Sequence, residues 1–289
     1  MTPKKQTLIR IGLFVLITFS LTWIPHFICL RRWGFTAWMQ SPFAIIVTLT
    51  MFAPMLGNFL TRLITKEGFR ESRLHFHFGG NIRYYVLAYC LPAVFGIIIA
   101  VLVNCTHGSW KFEALRGESP FDVFTGFMQL CVMPVLYYVP CVFGEECGWR
   151  GYMNQKLEAL TGKAGAVVIG GVIWGLWHAP LVANGFNFGA EHPVIGVLLM
   201  CVSCMLLNAV LMWLTERTDS VFPAVLLHIA LDMQLTDFVS GVLISGVSEE
   251  AAKKMTELQA GILQMLIPEA AFGILCFVLL IRRKGTARA

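Results

Sequence analysis

Apolar residues run through this chain in long uninterrupted blocks, separated by short polar stretches, without the alternation of half-buried strands. A bilayer core of roughly 30 Å needs about 20 apolar residues of helix to cross it, and about eight blocks meet that length. They cover residues 8–30, 43–64, 84–103, 121–144, 164–183, 194–214, 222–244 and 262–281. The seventh is unusual, because His228, Asp232 and Asp237 all fall within it. The pattern predicts an all-α fold, a polytopic membrane bundle of about eight helices. No internal repeat or low-complexity linker divides it, so residues 1–289 read as a single membrane domain.

Composition supports this reading. The chain is 57% hydrophobic and 13% charged, against roughly 25% charged in soluble domains. With eight spans and a cytoplasmic N-terminus, most of the lysines and arginines fall on the cytoplasmic side, including Lys4, Lys5, Arg62, Lys66, Arg150 and Arg282. That bias predicts both termini inside. It also accounts for the net charge of +5, and the dispersed basic residues exclude a nucleic-acid partner. The first block starts like a signal peptide but is too long and is followed by Arg31 and Arg32, so it reads as a retained helix. The polar connection 65–83 carries Phe69, Phe76 and Phe78 among basic residues. It is expected to lie along the inner interface as a short amphipathic element, before Gly79 and Gly80 turn the chain. Glu249, Glu250, Lys253 and Lys254 in the stretch 248–258 read as a solvated helical turn. Cys201 and Cys204 form a C-x-x-C without a second pair, so they read as small packing residues rather than half a zinc set.

Ionisable groups inside such blocks are costly and mark function. Glu145 and Glu146 adjoin an apolar run, and Arg150 follows Glu146 by one helical turn. That spacing lets Glu146 pair with Arg150. Glu145 then points about 100° away, less paired and suited to general-base work on water. His178 is the only ionisable group at the end of the next block, with Trp174 one turn before it and Pro180 just after, where the helix is expected to kink or end. Gly171 and Gly175 form a small-residue face for close helix approach. His228 and Asp232 stand one turn apart on the seventh block, so Asp232 either orients His228 or joins it in binding a metal or a carbonyl. A glutamate, two histidines and an aspartate are an inventory for activating water and polarising a carbonyl. No H-E-x-x-H or G-x-S-x-G competes. Cys147 reads as a packing residue, not a nucleophile.

These motifs, E-E-x-x-x-R at Glu145, Glu146 and Arg150, an aromatic three residues clear of a histidine at Trp174 and His178, and His-x-x-x-Asp at His228 and Asp232, resemble the CPBP group of intramembrane proteases. That group contains the type II CAAX prenyl endopeptidases and Abi-type proteins. The resemblance covers 121–238, the expected catalytic core. Trp174 stands where phenylalanine is common, and Asp232 where the CAAX endopeptidases usually have asparagine. The resemblance implies that Glu145 and His178 activate water, that His228 and Asp232 stabilise the oxyanion, and that Glu146, Arg150 and Trp174 support the site. The family is often described as metal-dependent. His178, His228 and Glu145 are the candidate ligands of a divalent metal such as zinc, which needs three ligands and an open position.

The expected function is hydrolysis of a peptide bond, in a CAAX-type C-terminal tail or a small secreted precursor. The partners are then a peptide or prenylated protein and the lipid bilayer, in a prokaryotic plasma membrane. The alternative is a non-catalytic immunity or scaffolding module of the same fold, which lost motif residues would have favoured. A transporter with a proton relay is a third reading, and it lacks the repeated halves such folds show.

Overall fold

The computed structural model describes residues 2–69, 72–107, 119–133, 135–232 and 256–282. These are mostly helical, without a named strand among the described residues. Helix α1 (Pro3–Trp33) starts on a Thr2 cap with Pro3 in its first turn, and ends on Gly34 with Arg31 and Arg32 in the last turn. These are the positions where each residue type satisfies free backbone groups or the helix dipole. A short α2 (Phe35–Met39) leads to α3 (Ile45–Thr50) and α4 (Ala53–Thr65), which bend by 43° at the break between them. Then follow α5 (Ile82–His107), α6 (Pro120–Phe127) and α7 (Val135–Gly148). A π-helical turn, Trp149–Met153, joins α7 to α8 (Asn154–Trp177). After α9 (Ala179–Val182) come α10 (Pro193–Thr218) and α11 (Phe222–Asp232). The bundle closes with α12 (Glu257–Gly261) and α13 (Ile267–Arg282), separated by a π-helical turn.

Among the described residues five helices are long and apolar enough to cross a membrane, or six if the α3–α4 pair is one bent span. Leu16, Ile24 and Ile28 of α1 and Leu198 of α10 are exposed, as lipid-facing residues of a bundle are. The stretch between the blocks 121–144 and 164–183 is not a loop. The chain stays helical from Tyr138 to Trp177, broken at Gly162, whose φ of 73° is a backbone conformation that glycine adopts freely. The charges there are neutralised within the protein, so the helix does not need to end in water. The seventh block is an 11-residue apolar helix in its described part, and Asp237 and the stretch 248–255 lie outside the described residues.

The described residues between α4 and α5 form no helix, and the chain turns at Gly79–Gly80 as expected. It is fastened to the α10–α11 junction. Val221 N donates to Arg73 O, Ser220 Oγ to His75 O, and His77 Nδ1 meets Thr218 O at 2.9 Å. Phe76 stacks on Phe222 at 3.6 Å between ring centres. These contacts seat the start of α11, the helix that carries His228.

The centre of the bundle is the α8–α10 pair. A Cβ at Gly171 would strike Met205 Cα, and one at Gly175 would lie 2.5 Å from Cys201 Cα, so both glycines provide the close approach expected of them. Asn154 donates to Asn208 across the same interface at 2.6 Å. Cys201 and Cys204 are buried there as free thiols.

Candidate active site

Two glycines flank the Glu145-Glu146 pair and set its depth. A Cβ at Gly148 would lie 2.5 Å from the carbonyl carbon and oxygen of Pro54, and one at Gly144 would lie 2.9 Å from Met51 O. Helix α7 therefore lies directly against the start of α4. Asn58 of α4 donates to Cys147 O at 2.9 Å, holding Cys147 as a buried packing residue. The result places three charged side chains in the protein interior: Glu145 is 3% exposed, Glu146 0% and Arg150 1%.

Burial on this scale demands partners. Arg150 Nη1 donates to Glu146 Oε1 at 2.8 Å, the pairing predicted from the spacing, and its guanidinium lies 4.1 Å from the centre of the Trp174 ring. His228 Nδ1 reaches the same Glu146 oxygen at 2.8 Å. Beside a carboxylate already paired with arginine, Nδ1 carries a proton and donates it to Glu146. The hydrogen bond that orients His228 thus comes from Glu146. Asp232 Oδ1 stands 3.7 Å from His228 Nε2, at ion-pair rather than hydrogen-bond distance, and its side chain is 32% exposed. Of the two roles weighed for Asp232, orienting His228 through a hydrogen bond has no counterpart in this geometry.

Glu145 points to the other neighbour, as the helical geometry required, and accepts a hydrogen bond from Trp174 Nε1 at 3.2 Å. Trp174 also acts through its backbone: His178 Nδ1 meets Trp174 O at 2.9 Å. A carbonyl only accepts, so His178 carries a proton on Nδ1, and the neutral ring then has its lone pair on Nε2. Helix α8 ends at this point, with Pro180 in the first turn of α9. Trp177 Nε1 donates to Thr22 Oγ1, and Trp23 Nε1 to Trp177 O, so α1 clamps the helix end that bears His178.

Glu145, Trp174, His178, His228 and Asp232 all line one cavity of about 570 Å³, while Glu146 and Arg150 sit behind its wall. The expected metal ligands His178, His228 and Glu145 share that cavity. Among the described residues, however, no group of three His, Cys, Asp or Glu side chains is placed to hold one metal ion. His228 has one ring nitrogen on Glu146 and the other towards Asp232. The same cavity reaches residues not singled out from the sequence, namely His26, Thr50, Ser203, Gln264 and Glu269. His26 and Glu269 each interrupt an apolar block, the signal that identified His178.

Residues 127–234 match the model of the type II CAAX prenyl endopeptidase Rce1-like family. The chain is also 25% identical, over 236 residues, to the CAAX prenyl protease 2 of Methanococcus maripaludis, an alignment covering 76% of this chain and 82% of that protein. The resemblance read from the motifs is borne out, and every motif residue from Glu145 to Asp232 lies inside the matched segment.

Proposed function

We propose that this chain is an intramembrane endopeptidase that cleaves a peptide bond with a water activated by Glu145 and His178. The observation that carries the reading is the convergence of a carboxylate partnered by the Trp174 N–H, a histidine whose Nδ1 is held by a carbonyl and a second histidine on one cavity within the bundle of apolar helices. In this mechanism Glu145 takes one water proton while Nε2 of His178 accepts a hydrogen bond from the other O–H. The water oxygen attacks the carbonyl carbon. His228 carries protons on both nitrogens, one donated to Glu146 and the other offered to the carbonyl oxygen as it gains charge. Asp232 balances that imidazolium. Glu145 then returns its proton to the departing amine as the C–N bond breaks. The Glu146–Arg150 pair and Trp174 hold the two reacting groups in register.

The name of the archaeal relative suggests a prenylated C-terminal tail as substrate, and a cavity within a lipid-embedded bundle suits a lipidated peptide. We place the protein in a prokaryotic plasma membrane. The test is incubation of the purified protein in lipid nanodiscs with prenylated and unprenylated peptides, with products read by mass spectrometry. Products are expected from the wild type and not from Glu145→Ala. Chelator followed by added zinc in a parallel sample reads metal dependence. Intact peptides with the folded wild type would turn the reading to a non-catalytic module.

A further inference from the structure

Glu269 has no part in the mechanism above, yet it lies in the same cavity. It sits on α13, 5% exposed, in a helix that is otherwise apolar up to Arg282. Its one hydrogen-bond partner among the described residues is Ser203 of α10, whose hydroxyl donates to Oε2 at 2.5 Å. The other oxygen, Oε1, has no hydrogen-bond partner there and is not among the atoms sealed inside the protein, which leaves it facing the cavity. Helices α10 and α13 are tightly seated around the pair, since a Cβ at Gly273 would lie 2.8 Å from Leu206 O. The carboxyl is therefore held in place.

A buried carboxyl serving structure alone would be expected to have a cation, as Glu146 has Arg150. Apolar packing would otherwise serve as well or better. Glu269 has only a neutral hydroxyl. The described residues lining the cavity include the carboxyls Glu145, Asp232 and Glu269 and neither lysine nor arginine; the His228 imidazolium of the mechanism is matched by Asp232, which leaves Glu269 without a cation of its own. An acceptor oxygen preset by Ser203, in a cavity of that charge balance, is made for a donor brought by the ligand. We infer that Ser203 and Glu269 form a specificity subsite that receives a basic side chain, lysine or arginine, of the peptide substrate. This rests on the endopeptidase reading, because it places the residue within reach of a bound peptide chain.

The test uses the Glu145→Ala protein in nanodiscs, so that peptides bind without turnover. A neutral apolar peptide carries a single lysine at successive positions, and its affinity is compared with the norleucine counterpart. At one position lysine is expected to bind about tenfold more tightly, the size of one charge-assisted hydrogen bond. Adding Glu269→Gln, which keeps an acceptor for Ser203, is expected to bring that ratio to about one. Ser203→Ala, which leaves the carboxylate in place, is expected to retain a lysine preference. A ratio of one at every position overturns the subsite, as does a lysine preference that survives Glu269→Gln. Should Glu269→Gln not fold, Asp232→Asn in the Glu145→Ala background decides: a lysine preference retained there supports the Glu269 subsite, and its loss overturns it. Lysine preference without cleavage by the wild type would overturn proteolysis and leave the subsite standing. Cleavage without preference would do the reverse.

Discussion

Glu146→Gln is the substitution for which the structure gives the clearest magnitude. Arg150 is buried, and Glu146 Oε1 is the acceptor for its Nη1 at 2.8 Å. Its Nε and Nη2 have no hydrogen-bond partner, and the Trp174 ring at 4.1 Å is its other cover. Glutamine keeps an oxygen for Arg150 and His228 but removes the charge. The guanidinium is then a buried, uncompensated cation, a change that costs about 3–5 kcal/mol when one partner of a buried pair is removed. The middle of that range is roughly a thousandfold in the unfolding equilibrium. Glu145→Gln is the matched control. Its hydrogen-bond partner is the neutral Trp174 N–H, so stability should change by less than about 1 kcal/mol, while hydrolysis is lost. Reversible unfolding in mixed micelles, followed by denaturant titration, gives both values. Glu146→Gln combined with Arg150→Met should recover most of the loss, with a coupling above about 2 kcal/mol. A Glu146→Gln protein within about 1 kcal/mol of wild type, or a cycle without coupling, would refute the ion-pair argument.

Three further outcomes follow from the geometry. Trp174→Phe keeps an aromatic ring beside Arg150 but removes the donor to Glu145, so initial cleavage rates should fall about tenfold, one hydrogen bond to a charged group, and an unchanged rate would detach Trp174 from the reaction. Gly148→Ala drives a methyl into the Pro54 backbone and should cost about 1–3 kcal/mol, read as a lower unfolding midpoint with activity falling alongside. Glu67, just past α4, is pulled upward in pKa by burial, but hydrogen bonds and charge from Lys156, the hydroxyl of Tyr152 and the charge of Arg10 outweigh this and hold it below the ordinary glutamate value. A folded pKa lower than the unfolded one stabilises above the unfolded value, near 4.3, and that stability is lost as pH falls through the folded value. Glu67→Gln should thus be less stable than wild type at pH 7, with the gap closing in acid below about pH 4, as read by unfolding midpoints across pH.

Sequence alone determined the membrane bundle, because apolar blocks of bilayer length have few other stable forms. It also singled out the site residues, because charge inside such blocks is too costly to be incidental. The Glu146–Arg150 pair, the divergence of Glu145 and a close helix approach at Gly171 and Gly175 were all readable, since each depends on helical periodicity or residue size, although the partner helix was not. What lies between helices was not. Periodicity does not reveal that Gly144 and Gly148 press α7 onto α4, that Glu146 rather than Asp232 holds His228, or that Trp174 joins Glu145 to His178. It ended the apolar block at Gly144, where the chain continues as buried helix, because local pattern does not show that the charges beyond it face one another. His26 and Glu269 carried the right signal, an ionisable group within an apolar block, but no short motif. Only the packing of α1, α10 and α13 around the cavity shows that they share it with the motif residues, since proximity between distant segments is set by the tertiary fold.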